Sequence, residues 1–154
     1  MKTIAATAEN VREMTLESAI ESRLVELLEE EMDELPGDLV IYARHQMDYG
    51  QTPSIVCSAT IQSDADIPGI WKVDVSSTLT FRPSELTPTE ADAVFRRVSA
   101  LMGQAAPTLQ TTLTTAAVHV YGVEYDDPFD RDRDDETETR SFSCMAIAGL
   151  LDPS

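Results

Sequence analysis

The chain has 154 residues, 42% of them hydrophobic, and a net charge of -17. That length fits one domain with a core of useful size, and no apolar run reaches the roughly 18 residues of a membrane span. Acidity this strong repels phosphate backbones, so nucleic-acid binding is disfavoured.

The charge is segregated. Eleven acids and two arginines lie between Glu9 and Asp38, and nine acids and three arginines lie between Glu124 and Arg140. The remainder is close to neutral, with 8 acids against 6 basic residues. An ordinary fold is therefore expected to present two acidic surfaces. Near the start, Glu9, Arg12 and Glu13 interrupt any signal-peptide apolar core, so a cytosol-like compartment is expected. The two cysteines, Cys57 and Cys144, fall inside strand patterns. Both are read as reduced and buried.

Residues 1–14 are expected to form a flexible arm. A helix is expected from Thr15, its N-cap, to Leu35. Leu16, Ile20, Leu24, Leu27, Leu28 and Met32 recur at helical spacing, with Ala19 beside them. Glu17, Glu21, Glu26, Glu29 and Glu30 are read as facing outward. The run Glu29, Glu30, Glu31 sits near the helix C-terminus, where the dipole disfavours negative charge by roughly a few tenths of a kcal/mol per residue. That cost hints at a use for the acidic face. Pro36 and Gly37 end the helix.

Leu39 to Ala43 reads as a short strand and Arg44 to Thr52 as a polar loop. From Pro53 to Gln62, Ile55, Cys57, Ala59 and Ile61 alternate with polar residues as in a half-buried strand. Ser63 to Gly69 is a turn. The clearest strand runs from Ile70 to Arg82, with Val73, Val75, Ser77, Leu79 and Phe81 on one face. Extended, it spans about 43 Å. Its other face is polar and must meet water or another subunit. Trp71 at its start is either an interface anchor or a cover for the core edge.

A second helix opens with Thr87 as cap, Pro88 at the first helical position and Glu90 completing a capping box. Ala91, Val94, Phe95, Val98, Leu101 and Met102 form its buried face, and Gly103 stops it. Ala105 to Leu113 adds at most a helical turn, broken by Pro107. Two more strands follow. In Ala116 to Tyr125, His119, Tyr121, Val123 and Tyr125 share one face. In Ser141 to Ala148, Phe142, Cys144, Ala146 and Ala148 do so. One acidic loop joins these two strands, so they are expected to pair as an antiparallel hairpin.

The expected architecture is α+β. A mainly antiparallel sheet carries an N-terminal helix and a second helix on one face, with an acidic hairpin loop near the C-terminus. Residues 15–150 form one domain, and 151–154 are a tail.

Candidate chemistry is sparse. Asp130, Asp132 and Asp134 match the first three ligand positions of an EF-hand loop. Asp135 then stands where glycine is required and Ser141 where glutamate is required. The loop Asp126, Asp127, Asp130 to Glu136 is therefore read as solvated rather than calcium-binding. His45, His119, Cys57 and Cys144 lack the close pair spacing of a zinc site. No GxSxG, phosphate loop, HExxH or CxxC occurs. No cofactor or metal is expected, and an enzyme is not expected.

The helix Leu16–Met32, the strand opened by Pro53, Ser54, Ile55, Val56 and Cys57, the long alternating run Trp71–Phe81, the helix Pro88–Met102 and the final strand pair occur in that order. This order, over about Thr15 to Leu150, resembles the phage tail terminator, or tail completion, family. The acidic insert Asp126–Glu138 departs from the family pattern. The resemblance implies a homo-oligomeric ring, typically a hexamer, at the head-proximal end of a tail tube. Such a ring ends tube polymerisation and offers a surface to a head connector or stopper protein. The expected partners are copies of the chain itself, the tail tube protein and the connector. DNA passes through without specific binding, and no membrane is involved. The expected location is the virion tail or neck, and the host cytoplasm during assembly. Interface or channel-lining residues are expected among Glu29, Glu30, Glu31, Trp71, Asp126, Asp127, Asp130, Asp132, Asp134, Asp135 and Glu136. A head–tail connector or minor tail subunit is the nearest alternative. An acidic DNA-mimic inhibitor is the alternative from another class.

Overall fold

The computed structural model describes residues 8–32, 36, 38–46, 52–134 and 136–151, with backbone alone for 8–14 and 46. Three helices, α1 (Ala8–Glu31), α2 (Pro88–Met102) and α3 (Ala106–Leu113), accompany six strands. The strands are β1 (Val40–Ala43), β2 (Ser54–Asp64), β3 (Trp71–Phe81), β4 (Val118–Glu124), β5 (Phe129–Arg133) and β6 (Glu138–Leu150). All six belong to one sheet in the order β1-β2-β3-β6-β4, with β5 also on β6. Only β1 with β2 is parallel among the described pairs. The fold is α+β, as the order of periodicities predicts.

The helices cover one sheet face. Leu16, Ile20, Leu24, Leu27 and Leu28 of α1, with Met32 just beyond its end, are buried in one core cluster with Ile55, Cys57, Ala59, Val73 and Val75. Each such aliphatic side chain, fully buried, contributes roughly 1.5–3 kcal/mol relative to exposure. In α2 the capping box forms as its residues predict. Thr87 Oγ1 accepts from Glu90 N at 3.1 Å and Glu90 Oε1 accepts from Thr87 N at 3.0 Å. Gly103 caps α2: its N–H donates to Ser99 O at 2.7 Å, and a Cβ there would stand 2.6 Å from that oxygen.

Several expectations need correction. Helix α1 begins at Ala8, so Thr15 lies within it and is no cap, and Ala8 to Met14 of the expected arm is helical. It ends at Glu31, and residues 33–35 of the expected span, like 1–7 of the arm and 152–154 of the tail, lie outside the described residues. Arg44 to Gln46 forms a 3-10 turn, and the rest of that polar loop, 47–51, is likewise outside. Pro107 starts α3 rather than breaking it, because proline in the first turn removes an N–H that has no helical partner there.

Two corrections concern the final strands. A bulge between Val120 and Gly122 shifts the register of β4 on β6. Val123 therefore joins Val118 and Val120 in the core, leaving His119 and Tyr121 on the other side. The acidic loop is also shorter than expected, because Phe129–Arg133 is a strand paired with Glu138–Phe142. Strands β4 and β5 thus lie end to end along one edge of the 13-residue β6, forming the expected hairpin in an interrupted version.

Glu21 is the largest departure. It is 1% exposed, not outward-facing. Strand β1 pairs with β2 only as far as Cys57, so the β2 edge beyond has no strand neighbour on that side. Glu21 Oε2 accepts from Ala59 N at 2.9 Å, and half-buried Glu17 accepts from Ile61 N at 2.8 Å. Arg44 donates to Ala59 O at 3.2 Å and sits 3.4 Å from Glu21 Oε2. Glu21 Oε1 takes His45 N at 3.0 Å and His45 Nδ1 at 2.8 Å. Side chains of α1 and the 3-10 turn thus replace the missing strand. An unpaired buried N–H would otherwise cost about 1–3 kcal/mol.

Candidate assembly interface

Strands β2 as far as Ile61, β3 and the middle of β6 alternate, so the helix-free face carries the other set of side chains. Val56, Ser58 and Thr60 lie beside Thr78, Ser76 and Asp74, which lie beside Ser141, Ser143 and Met145. Most are half-buried among themselves, and Thr78 Oγ1 and Ser141 Oγ are 3.1 Å apart. The result is a face made mostly of small hydroxyl side chains. At one end, where Ile147 pairs with Gly122 and Met145 with Glu124, Tyr121 is 48% exposed and takes His119 edge-on at 4.4 Å. No described residue of the chain covers this face.

Strand β5 borders it. Asp130 pairs with Ser141 and Asp132 with Thr139, so both aspartates project on the hydroxyl side. Phe129, Arg131 and Arg133, paired with Phe142, Arg140 and Glu138, project on the helix side. Pairing two copies of β5 about Arg131 would set Asp130 opposite Asp132, a like-charge arrangement that discourages edge-to-edge polymerisation.

On the helix side, β5, β6 and the start of α2 enclose a groove. Phe95, Phe129, Asp130, Arg131 and Arg140 line a hollow of about 340 Å³. A second hollow of about 140 Å³, lined by Phe81, Leu86, Arg131, Arg133 and Glu138 among others, adjoins it through Arg131 and Arg140. Phe142 takes Phe129 edge-on at 4.9 Å, and Phe95 lies 6.3 Å from Phe129. Phe129 is still 58% exposed. Glu138 receives Arg140 Nε at 2.5 Å and Arg131 Nη2 at 3.2 Å. Arg140 also meets Asp92 at 2.6 Å. Burial works to raise the Glu138 carboxyl, but hydrogen bonds from Arg140 and Arg131 and their charges outweigh it and hold it below its ordinary value. Burial likewise works against charged Arg140, and Glu138 and Asp92 together raise its value.

The residues singled out from sequence divide into groups. Glu29, Glu30 and Glu31 are exposed at the end of α1. Asp126, Asp127, Asp130, Asp132, Asp134 and Glu136 are exposed along the hairpin, and Asp135 lies outside the described residues. Trp71, at 3% exposure, covers the core edge and is not available as an interface anchor. The EF-hand geometry does not arise. Asp130 and Asp132 sit on a strand, while Asp134 Oδ1 accepts from Thr137 N at 2.7 Å and Glu136 N at 2.8 Å. Backbone hydrogen bonds from Thr137 and Glu136 lower the Asp134 carboxyl and pin the hairpin turn.

His45 is engaged by Glu21 and His119 by Tyr121. Burial pushes the Cys57 and Cys144 thiols up to about 12, which leaves them protonated and inert. Among the described residues no three His, Cys, Asp or Glu side chains gather as a metal site. No described helix is long and apolar enough to cross a membrane.

In the sequence, Arg131 and Arg133 read only as positive charge interleaved in the acidic loop, and their gathering with Arg140 is not expected from it. Arg131 and Arg133 alternate with Asp130 and Asp132, and that period-two signal was available once the segment is taken as a strand. No family model matches the chain, and no curated protein matches it.

Proposed function

We propose that this chain is a structural subunit of a closed ring that terminates a phage tail tube and joins it to the head connector. The observation that carries the reading is the uncovered sheet face. It extends from β2 across β3 and β6 to the charged β5 edge, on strands of 11 to 13 residues. A two-layer fold with one face dressed in small hydroxyls suits repeated subunit contact more than an enclosed reaction site. The element order along the chain supports the same reading.

The two acidic segments supply the second half of the proposal. The hairpin, with Asp130 and Asp132 turned toward the open face, lines the channel. There carboxylates keep sliding DNA from making phosphate contacts and releasing counterions. The end of α1, on the other side of the molecule's helical layer, meets protein.

The test is a capping assay with purified tail tubes, read by negative-stain electron microscopy. Added subunit should halt elongation and appear as a ring at one tube end. Tubes that elongate unchanged, without terminal density, would sink the reading. Cryo-electron microscopy of the capped tube tests the channel assignment, which fails if both acidic segments lie on the outer wall.

A further inference from the structure

We propose that the groove between the β5–β6 hairpin and α2 receives the acidic end of α1 from a second copy of this chain. The groove gathers three arginines in an acidic molecule, and one of them, Arg133, is left over after the carboxylates there are paired. Arg131, Arg133 and Arg140 converge there, with Glu138 shared by Arg131 and Arg140 and Asp92 also on Arg140. Arg133 has no carboxylate partner among the described residues, and its side chain is exposed. Phe95 and the largely exposed Phe129 provide an apolar floor beside these charges. An acidic segment carried on an amphipathic helix fits such a surface. Its carboxylates meet guanidinium forks, and its aliphatic stems lie on the rings.

The chain itself offers that segment. Glu29, Glu30 and Glu31 are consecutive and exposed, and no ion pair to them occurs among the described residues. Placed at a helix C-terminus they are unfavourable, and further cations beyond Arg97, which donates to Glu31 O, would relieve that cost. One copy cannot bring its own ridge to its own groove. Arg97 of α2 donates to Glu31 O at 2.9 Å, whereas Phe95 faces Phe129. Two residues apart on a helix means about 200° of rotation, so ridge and groove flank α2 on opposite sides. Surfaces on opposite flanks are satisfied by head-to-tail repetition. A two-fold pair would leave one of each unused. The occupant is thus a second copy in a rotational arrangement, and this contact rests on the ring reading by naming the surfaces that close it.

Light-scattering mass and sedimentation at about 150 mM salt, where repulsion between distant charges is screened, provide the measurement. Wild type should assemble. R131E/R133E and E29R/E30R/E31R should each weaken assembly about tenfold or more, and the chain carrying all five reversals should regain it. Arg131 also supports Glu138, so Arg133→Glu alone, with Glu30→Arg as its rescue, gives a second series that spares the fold. Circular dichroism checks each variant. Reversed chains that assemble like wild type, a combined chain that does not recover, or a wild type that stays monomeric would overturn the contact. The capping assay separates this from the wider reading. Wild type and R131E/R133E capping tubes equally well would remove the groove contact and leave the ring. Wild-type association with no capping would remove the tail role and leave the contact.

Discussion

The two acidic stretches look alike in composition and do opposite things. In α1, Glu17 and Glu21 turn toward the sheet and accept N–H groups from the β2 edge, so their charge is part of the fold. In β5, Asp130 and Asp132 stand on the surface with their arginine neighbours on the reverse side, so their charge belongs to the exterior. The difference follows from periodicity. A helix at 3.6 residues per turn carries Glu17 and Glu21 round to the same stripe as Leu24 and Leu28. A strand at period two divides alternating charges cleanly between two faces. Acidity alone therefore says little about use, and the period in which the acids are set says much more.

The largest expected effect breaks the first half of that contrast. Glu21→Leu removes the acceptor for Ala59 N and His45 N and leaves Arg44 beside an apolar group. Urea unfolding should show a loss of about 3 kcal/mol or more. A change within the noise would mean the carboxylate is dispensable and that β2 needs no substitute neighbour.

Next comes Glu138, the acid of the second stretch that behaves like those of the first. Glu138→Gln should cost about 1–3 kcal/mol at pH 7, because Arg140 is only 11% exposed and loses its closest partner. Its carboxyl is held below the ordinary value of 4.5. The stabilisation is therefore complete above that pH and is lost as pH falls through the lower folded value. Wild type and variant should accordingly converge in stability in acid. A gap that stays constant down to complete acid unfolding would contradict the ion-pair account.

Glu17→Ala sits lower, at about 1 kcal/mol, because Glu17 is half-buried and water can replace it at Ile61 N. The smallest effect sharpens the second half. Asp130→Asn with Asp132→Asn should change stability by no more than about 0.5 kcal/mol in thermal or urea melts. A loss as large as that at Glu21 would mean the hairpin acids are structural after all.

Much of the fold was legible along the chain. The α1 stripe, the β3 alternation and the Thr87 capping box each depend on neighbours within a few residues, and each forms as read. Glu21 was misread because it was classed by charge, although it stands four residues after Glu17, three before Leu24 and seven before Leu28, at helical spacing. The β4 bulge and the β5 strand were missed for a different reason. Both are set by what β6 offers as a partner, and a run of five exposed residues has no hydrophobic alternation to announce it.

By itself, the amino-acid order determined the types of the strongly periodic elements, the layer that would be buried and the segregation of charge, because these arise from local propensity and from periodicity. Tertiary structure alone decided that β1 stops short and α1 carboxylates complete the β2 edge. It also decided that β4 and β5 share one edge of β6, and that three arginines meet two phenylalanines beside α2. Each of those joins residues far apart in the chain, and their meeting depends on strand register and helix docking, which no local window contains.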